Sequence, residues 1–217
     1  MSDLTTQFRS WSENLCQILE QEGMLVRPYQ QASLPFFQAL SLTEQQQAIQ
    51  LIENYCAVCQ NTRQRGASLR NERALLDQAL EHFNLQVDPE VFSFISPRNV
   101  FEFYSVNQTQ FFRTANFFEY TSYTIEDLYS RSWVYLYDRD EKITHKIIEH
   151  AAAILTGLTT GIILPNLPEH LLAERSSLEK IKTAVRFECL APLRQDGKTV
   201  GILSVVKSSG HFLEADG

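Results

Sequence analysis

Residues 185–207 constrain this chain more than any other stretch. Two β-rich runs, VRFECLAPL (185–193) and TVGILSVV (199–206), flank the sequence Gln195-Asp196-Gly197-Lys198. Asp-Gly between alternating apolar runs is among the strongest local hairpin signals, because Gly takes a positive φ at little cost. The pattern predicts that 185–193 and 199–207 pair as a hairpin through Asp196-Gly197, within an antiparallel sheet of five or six strands in the C-terminal region. Gly201, inside the second strand, predicts a bulge or a close backbone approach.

Upstream, the first ~95 residues read as helices by their apolar spacing. Residues 5–21 place Phe8, Trp11, Leu15, Ile18 and Leu19 on one stripe, and Gly23 suits the stop that follows. A short helix is expected over 34–40. Ser41 and Glu44 have the spacing of a capping box, opening a long helix through Gln60 with Ile49, Ile52, Tyr55, Cys56 and Cys59 apolar. A further helix is expected from Leu69 to Phe83. From about Val87 aromatic residues crowd in. Residues 100–106 alternate as a strand, 108–123 hold another strand or two, and Thr124 is placed to cap a helix. Residues 133–137 (Trp-Val-Tyr-Leu-Tyr) read as a short strand. Lys142–Leu155 reads as a helix, 161–164 as a strand, and Leu171–Ile181 as a helix.

The chain has 217 residues, 44% of them hydrophobic, with a formal net charge of −7. That length supports one domain with a good core, or a small helical domain followed by a larger one. An acidic chain without a Lys/Arg stripe is a poor direct nucleic-acid binder. No segment approaches ~18 consecutive apolar residues, so membrane insertion is not expected. The N-terminus lacks the basic-then-apolar plan of a signal peptide, which points to a cytoplasmic protein with reduced thiols.

The closing segment resembles that of GAF domains. The resemblance lies in Pro192-Leu193, the tight turn, Gly201-Ile202-Leu203, and Phe212 with Asp216. Upstream, the helix 142–155 followed by Thr156-Gly157 and Ile162-Ile163-Leu164-Pro165-Asn166 is similar to the family's order. A rival resemblance is to PAS domains, carried by Val106-Asn107, by 123–128 (Tyr-Thr-Ile-Glu-Asp-Leu) and by Asp138-Arg139-Asp140; Ser122 stands where that family usually has Gly. Both imply an α+β fold: a helical N-terminal region (1–68), then a GAF/PAS-like central antiparallel sheet flanked by helices (69–217). They imply a sensory or regulatory module rather than an enzyme. Such a module binds a small ligand or a partner and signals through helical dimer packing, here as the N-terminal part of a longer signalling protein. The alternative is a ligand-free protein–protein interaction module on the same or a PAS scaffold. A homodimer is expected, with the 41–60 helix or its neighbours at the interface.

No catalytic residue is assigned. Cys56-Ala57-Val58-Cys59 is a CxxC, yet a zinc site needs two further ligands and a redox site needs a helix N-terminus; core packing is the simpler reading. His145 and His150, five apart, lie on different helix faces, which disfavours joint metal ligation. Asp138, Asp140 and Glu141 read as a turn and a helix-dipole partner rather than catalytic carboxylates. No metal or cofactor is expected: the cyclic-nucleotide signature of GAF domains is absent, and Leu190, not His, follows Cys189 where a bilin would attach. The aromatic excess most simply builds a core. In a GAF- or PAS-like scaffold the same residues line a pocket between sheet and helices, which points to Phe103, Phe112, Phe118, Tyr120, Trp133 and Tyr135 as ligand-binding candidates.

Overall fold

The structure, a computed structural model, describes residues 3–212. Asp216, half of the Phe212/Asp216 pair, lies outside them. Helix α1 (Leu4–Gln21) buries Phe8, Leu15, Ile18 and Leu19. The one-turn helix α2 (Leu34–Gln38) leads to α3 (Leu42–Gln64). The capping box forms at its start: the Glu44 amide donates to Ser41 Oγ, and the Ser41 amide donates to the Glu44 carboxylate at 2.8 Å. Helix α4 (Glu72–His82) is capped by Asn71. Ile49, Ile52, Tyr55, Cys56 and Cys59 of α3 are all buried within this chain. Their stripe is consumed by the chain's own core, so an interface made of these residues is not available to a partner. No helix among the described residues is long and apolar enough to cross a membrane.

Among the described residues six antiparallel strands follow: β1 (Asn99–Ser105), β2 (Gln110–Arg113), β3 (Tyr137–Asp138), β4 (His170–Glu174), β5 (Lys182–Gln195) and β6 (Lys198–Phe212). They form one curled sheet in the order β2-β1-β6-β5-β4-β3. The β5–β6 hairpin turns through two residues, Asp196 (φ 49°) and Gly197 (φ 76°), both left-handed as a type I′ turn requires. Three register shifts along β5 and β6 bend the pair, since a bulge sharpens local twist. At Gly201 a Cβ would collide with the Tyr104 carbonyl oxygen, so the close backbone approach expected there is present.

Alternation in the strands divides the sheet into two faces. Phe101 and Phe103 of β1 pair with Val205 and Leu203 of β6, and all four are buried against the helices. Cys189, Ala191 and Leu193 of β5 join them, so one continuous core runs from Phe8 to Val205. Burial of each large side chain contributes roughly 1.5–3 kcal/mol. The other face is only partly covered. Helix α7 (Glu141–Leu155), capped by Asp140, lays Ile143 and Ile154 over Phe187, Leu190 and Ile202 as a second, smaller cluster.

Three local expectations are overturned. Residues 133–137 are not a strand: helix α6 (Trp133–Leu136) makes one turn, and only Tyr137–Asp138 pair, with β4. The Leu136 carbonyl is drawn in to accept from the Tyr123 hydroxyl and the Arg175 amide, which fixes the turn against β-propensity. Residues 171–181 are not a helix. Residues 170–173 pair with β5, and the buried Glu174 carboxylate gathers the turn that follows. Residues 161–164 supply only an isolated bridge, Ile163 to Leu190, over the part of β5 that β4 does not reach. In the 108–123 stretch, β2 is followed by a 3-10 turn over Ala115–Glu119. The expected helix after Thr124 is α5 (Ile125–Ser130).

Candidate functional site

The incompletely covered sheet face and the segment 128–139 enclose a cavity of about 280 Å³. Val100, Glu102 and Tyr104 of β1 and Val206 and Ser208 of β6 form its floor. Leu128, Tyr129, Trp133, Leu136 and Arg139 roof it, and the first turns of α3 contribute Ala48 and Leu51. A second cavity of about 70 Å³ shares Tyr104, Trp133 and Arg139 with it and runs under α7 past Ile147 and Ala151. The larger volume lies near the lower end of the ligand-pocket range, ~300–1,000 Å³.

One end of the floor is polar, for a reason visible in the register. Glu102 pairs with Arg113 and Tyr104 with Gln110, while Phe103 pairs with Phe112 on the core side. A shift between Phe103 and Tyr104 lets both polar pairs share a face although Gln110 and Arg113 are an odd three positions apart. The Gln110 amide donates to Glu102 at 2.6 Å and to the Tyr104 hydroxyl at 2.9 Å; Tyr104 donates to Glu102 at 3.1 Å. Burial pushes the Glu102 carboxyl above the usual range, although Arg113, Arg139 and these two donors pull it back. Burial also raises the Tyr104 phenol, with Glu102 adding to the effect.

Two arginines complete the site. Arg113 is 3% exposed, and its Nε has no hydrogen-bond partner. Its guanidinium lies 4.7 Å from the Phe117 ring and 5.5 Å from the Tyr129 ring. The Nε of Arg139 is likewise buried and unpartnered, with the guanidinium 5.1 Å from Phe187 and 5.6 Å from Trp133. Burial lowers the Arg139 pKa, while Tyr104, Glu102 and Tyr137 act in the opposite direction. Ser208 Oγ, also lining the large cavity, and Ser204 Oγ, lining the small one, are buried without partners. Leaving a buried donor unmatched costs roughly 1–3 kcal/mol, so these atoms mark where an occupant would complete the bonding.

Of the aromatic candidates, Tyr120 and Trp133 line the large cavity. Phe103, Phe112 and Phe118 sit in the helix-side core, with Phe112 and Phe118 against the Tyr55 ring. Tyr135 is 67% exposed on the outer side of α6. No motif in the sequence singles out Arg113, Glu102, Tyr104, Gln110 or Ser208 as site residues, and Arg139 stands out there only within Asp138-Arg139-Asp140. The available signal is polar-bearing residues at period two inside an aromatic strand: Glu102 and Tyr104 alternate with Phe101 and Phe103.

The remaining candidates have structural surroundings. Cys56 and Cys59 are buried mid-helix, and desolvation raises both thiols, Cys56 to about 12; neither is a nucleophile near neutral pH. His145 is on the surface beside Glu149. Asp140 accepts from the Lys142 and Ile143 amides, as a helix cap does. Among the described residues no cluster of His, Cys, Asp or Glu suits a metal ion. Glu174, 6% exposed, is surrounded by donors: the Thr121, Ser122 and Ser177 hydroxyls and the Ser122 and Ile181 amides. It is fully bonded and ties the cavity's flank together. No family model, curated protein or solved structure matches the chain.

Proposed function

We infer that the chain is a sensory or regulatory module that binds a small molecule between its sheet and the 128–139 segment. The cavity carries this reading. A sheet face packed only for structure would be closed by apolar side chains, as the opposite face is. Here it keeps a volume of about 280 Å³ and unpartnered buried donors. The six-stranded antiparallel sheet with helices on both faces, and the two-residue Asp-Gly hairpin at its centre, support the GAF/PAS-like reading. The cavity wall includes Ala48 and Leu51 of α3 and Leu128 of α5, and α3 and α5 both pack against α1. An occupant therefore bears on the helical layer, and it shifts that layer only by binding one arrangement more tightly than another. A homodimer, if it transmits the signal, uses surface other than the buried α3 stripe.

Native mass spectrometry of freshly purified protein tests the reading. The expected result is a mass excess of a small molecule that disappears on denaturation. A bare chain mass, together with no stabilisation by any member of a metabolite library, would overturn it. A second reading, a protein–protein interaction module, is favoured by Leu158, Leu164, Leu171 and Leu178, which are 52–84% exposed. It predicts that changing these leucines, and not the cavity, abolishes function.

A further inference from the structure

We propose that the cavity takes a small organic monocarboxylate, its carboxylate held by Arg113 and Arg139 and its apolar body lying among Val100, Val206, Leu128 and Trp133. The proposal rests on the ligand-binding reading above and adds the chemistry of the ligand.

Charge is the argument. Five charged side chains line the cavity, and they do not cancel. Arg131 is engaged by Asp127 at 3.7 Å and by Ser176. Glu44 stands at the mouth, exposed and held by Ser41. Glu102 is occupied by Tyr104 and Gln110. Among the described residues, neither Arg113 nor Arg139 has a carboxylate oxygen within 4.0 Å. The aromatic rings beside them hold each guanidinium in place but do not neutralise it. With Glu102 ionised, the buried Arg113 and Glu102 and the half-buried Arg139, whose Nε is itself buried, carry a surplus of one positive charge. A buried charge without a counterion is strongly unfavourable, and a monoanion supplies the balance. Arginine offers a planar fork that matches a carboxylate in two parallel hydrogen bonds. A dianion such as a phosphate monoester would overshoot the surplus. The remainder of the wall, with Val100, Leu128, Trp133 and Val206, asks for a body of hydrocarbon.

The test is a thermal-shift and calorimetric comparison on the full chain. The probes are 3-methylbutanoate, benzoate and phenylacetate, each against its uncharged amide, with inorganic phosphate alongside. At least one carboxylate is expected to bind and stabilise, with its amide weaker by about tenfold or more, as loss of a charge-assisted bond implies. Arg113→Met and Arg139→Met are expected to lose that preference while the unliganded variants remain at least as stable as the parent. A purely structural role for the arginines predicts lower stability instead. Should Arg113→Met fail to fold, Arg139→Gln carries the same comparison. Equal binding of acid and amide would overturn the anion while leaving a ligand cavity. Response to phosphate alone would overturn the carboxylate. No response to any probe would overturn the proposal, and the retained mass in the native spectrum would then decide the broader reading separately.

Discussion

Phe103 and Glu102 are consecutive residues with opposite fates. Phe103 faces Phe112 and Leu203 in a core shared by helices and sheet. Glu102 faces Arg113 and Ser204 on a floor that stays partly open. The two faces are built on the same strands, so backbone geometry does not distinguish them. What differs is the covering. Long helices with broad apolar stripes close one face. On the other, α7 covers one end, and the short segments α5, α6 and β3 arch over the rest. The closed face contributes stability, and the open face carries buried polar atoms beside its cavity. A single residue step along a strand therefore separates close-packed apolar side chains from buried polar ones.

The comparison breaks most readily at the closed face. Phe103→Ala should cost about 3–5 kcal/mol, read as a drop in the urea midpoint; a loss below about 1 kcal/mol would mean that this face is not close-packed. Next, Glu174→Ala should cost about 3 kcal/mol, because hydrogen bonds to a charged acceptor are lost and buried donors are stranded. Hydrogen exchange should show the loss concentrated at 121–123 and 174–181, sparing the helices. Gly197→Val, at φ 76°, should cost about 1–2 kcal/mol and affect both faces alike, since the hairpin is common to them; unchanged thermal stability would refute the turn.

The smallest effect concerns a charge on the closed side. Glu72 is 8% exposed, accepts from Asn116 at 3.0 Å, and burial raises its carboxyl to about 7. The folded state therefore holds a proton that the unfolded chain releases between about pH 7 and the ordinary carboxyl range. Stability from this group rises as pH falls through that window and is lost as pH rises past 7. Glu72→Gln mimics the protonated form, so it should stabilise the protein at pH 7.5 by on the order of 1 kcal/mol and by much less at pH 5. Equal effects at both pH values would show that Glu72 titrates normally.

The hairpin, the capping box at Ser41 and the helices α1, α3 and α7 were legible because local chemistry and tertiary packing agree there. Where they disagree, packing prevails. Residues 171–181 carry Leu, Ala, Glu and Lys, good helix formers, yet their first residues pair with β5 and Glu174 recruits donors too far along the chain to be read locally. Trp133–Leu136 is β-prone in composition but is held as one helical turn. The site was less legible than the fold. Aromatic residues suggested a pocket, and Tyr120 and Trp133 do line one. Phe103 and Phe112 instead fill the core, because alternation in β1 and β2 turns them to the helix side, and Phe118 joins them from the 3-10 turn after β2, against Tyr55 of α3. The two arginines are 26 residues apart in sequence and come to line one cavity only through the sheet order and the α5–α6 arch.

The strand lengths have one further consequence. The sheet's longest members, β5 and β6, lie inside it, and its two borders are β2, four residues long, and β3, only two. The part of β5 beyond β4 is shielded by Ile163 and by Gln86, which exchanges hydrogen bonds with Arg194. Among the described residues, the two border strands themselves offer another chain only short runs of free backbone. Assembly by edge-to-edge β-pairing, and the fibrous aggregation that follows from it, is therefore disfavoured by the architecture.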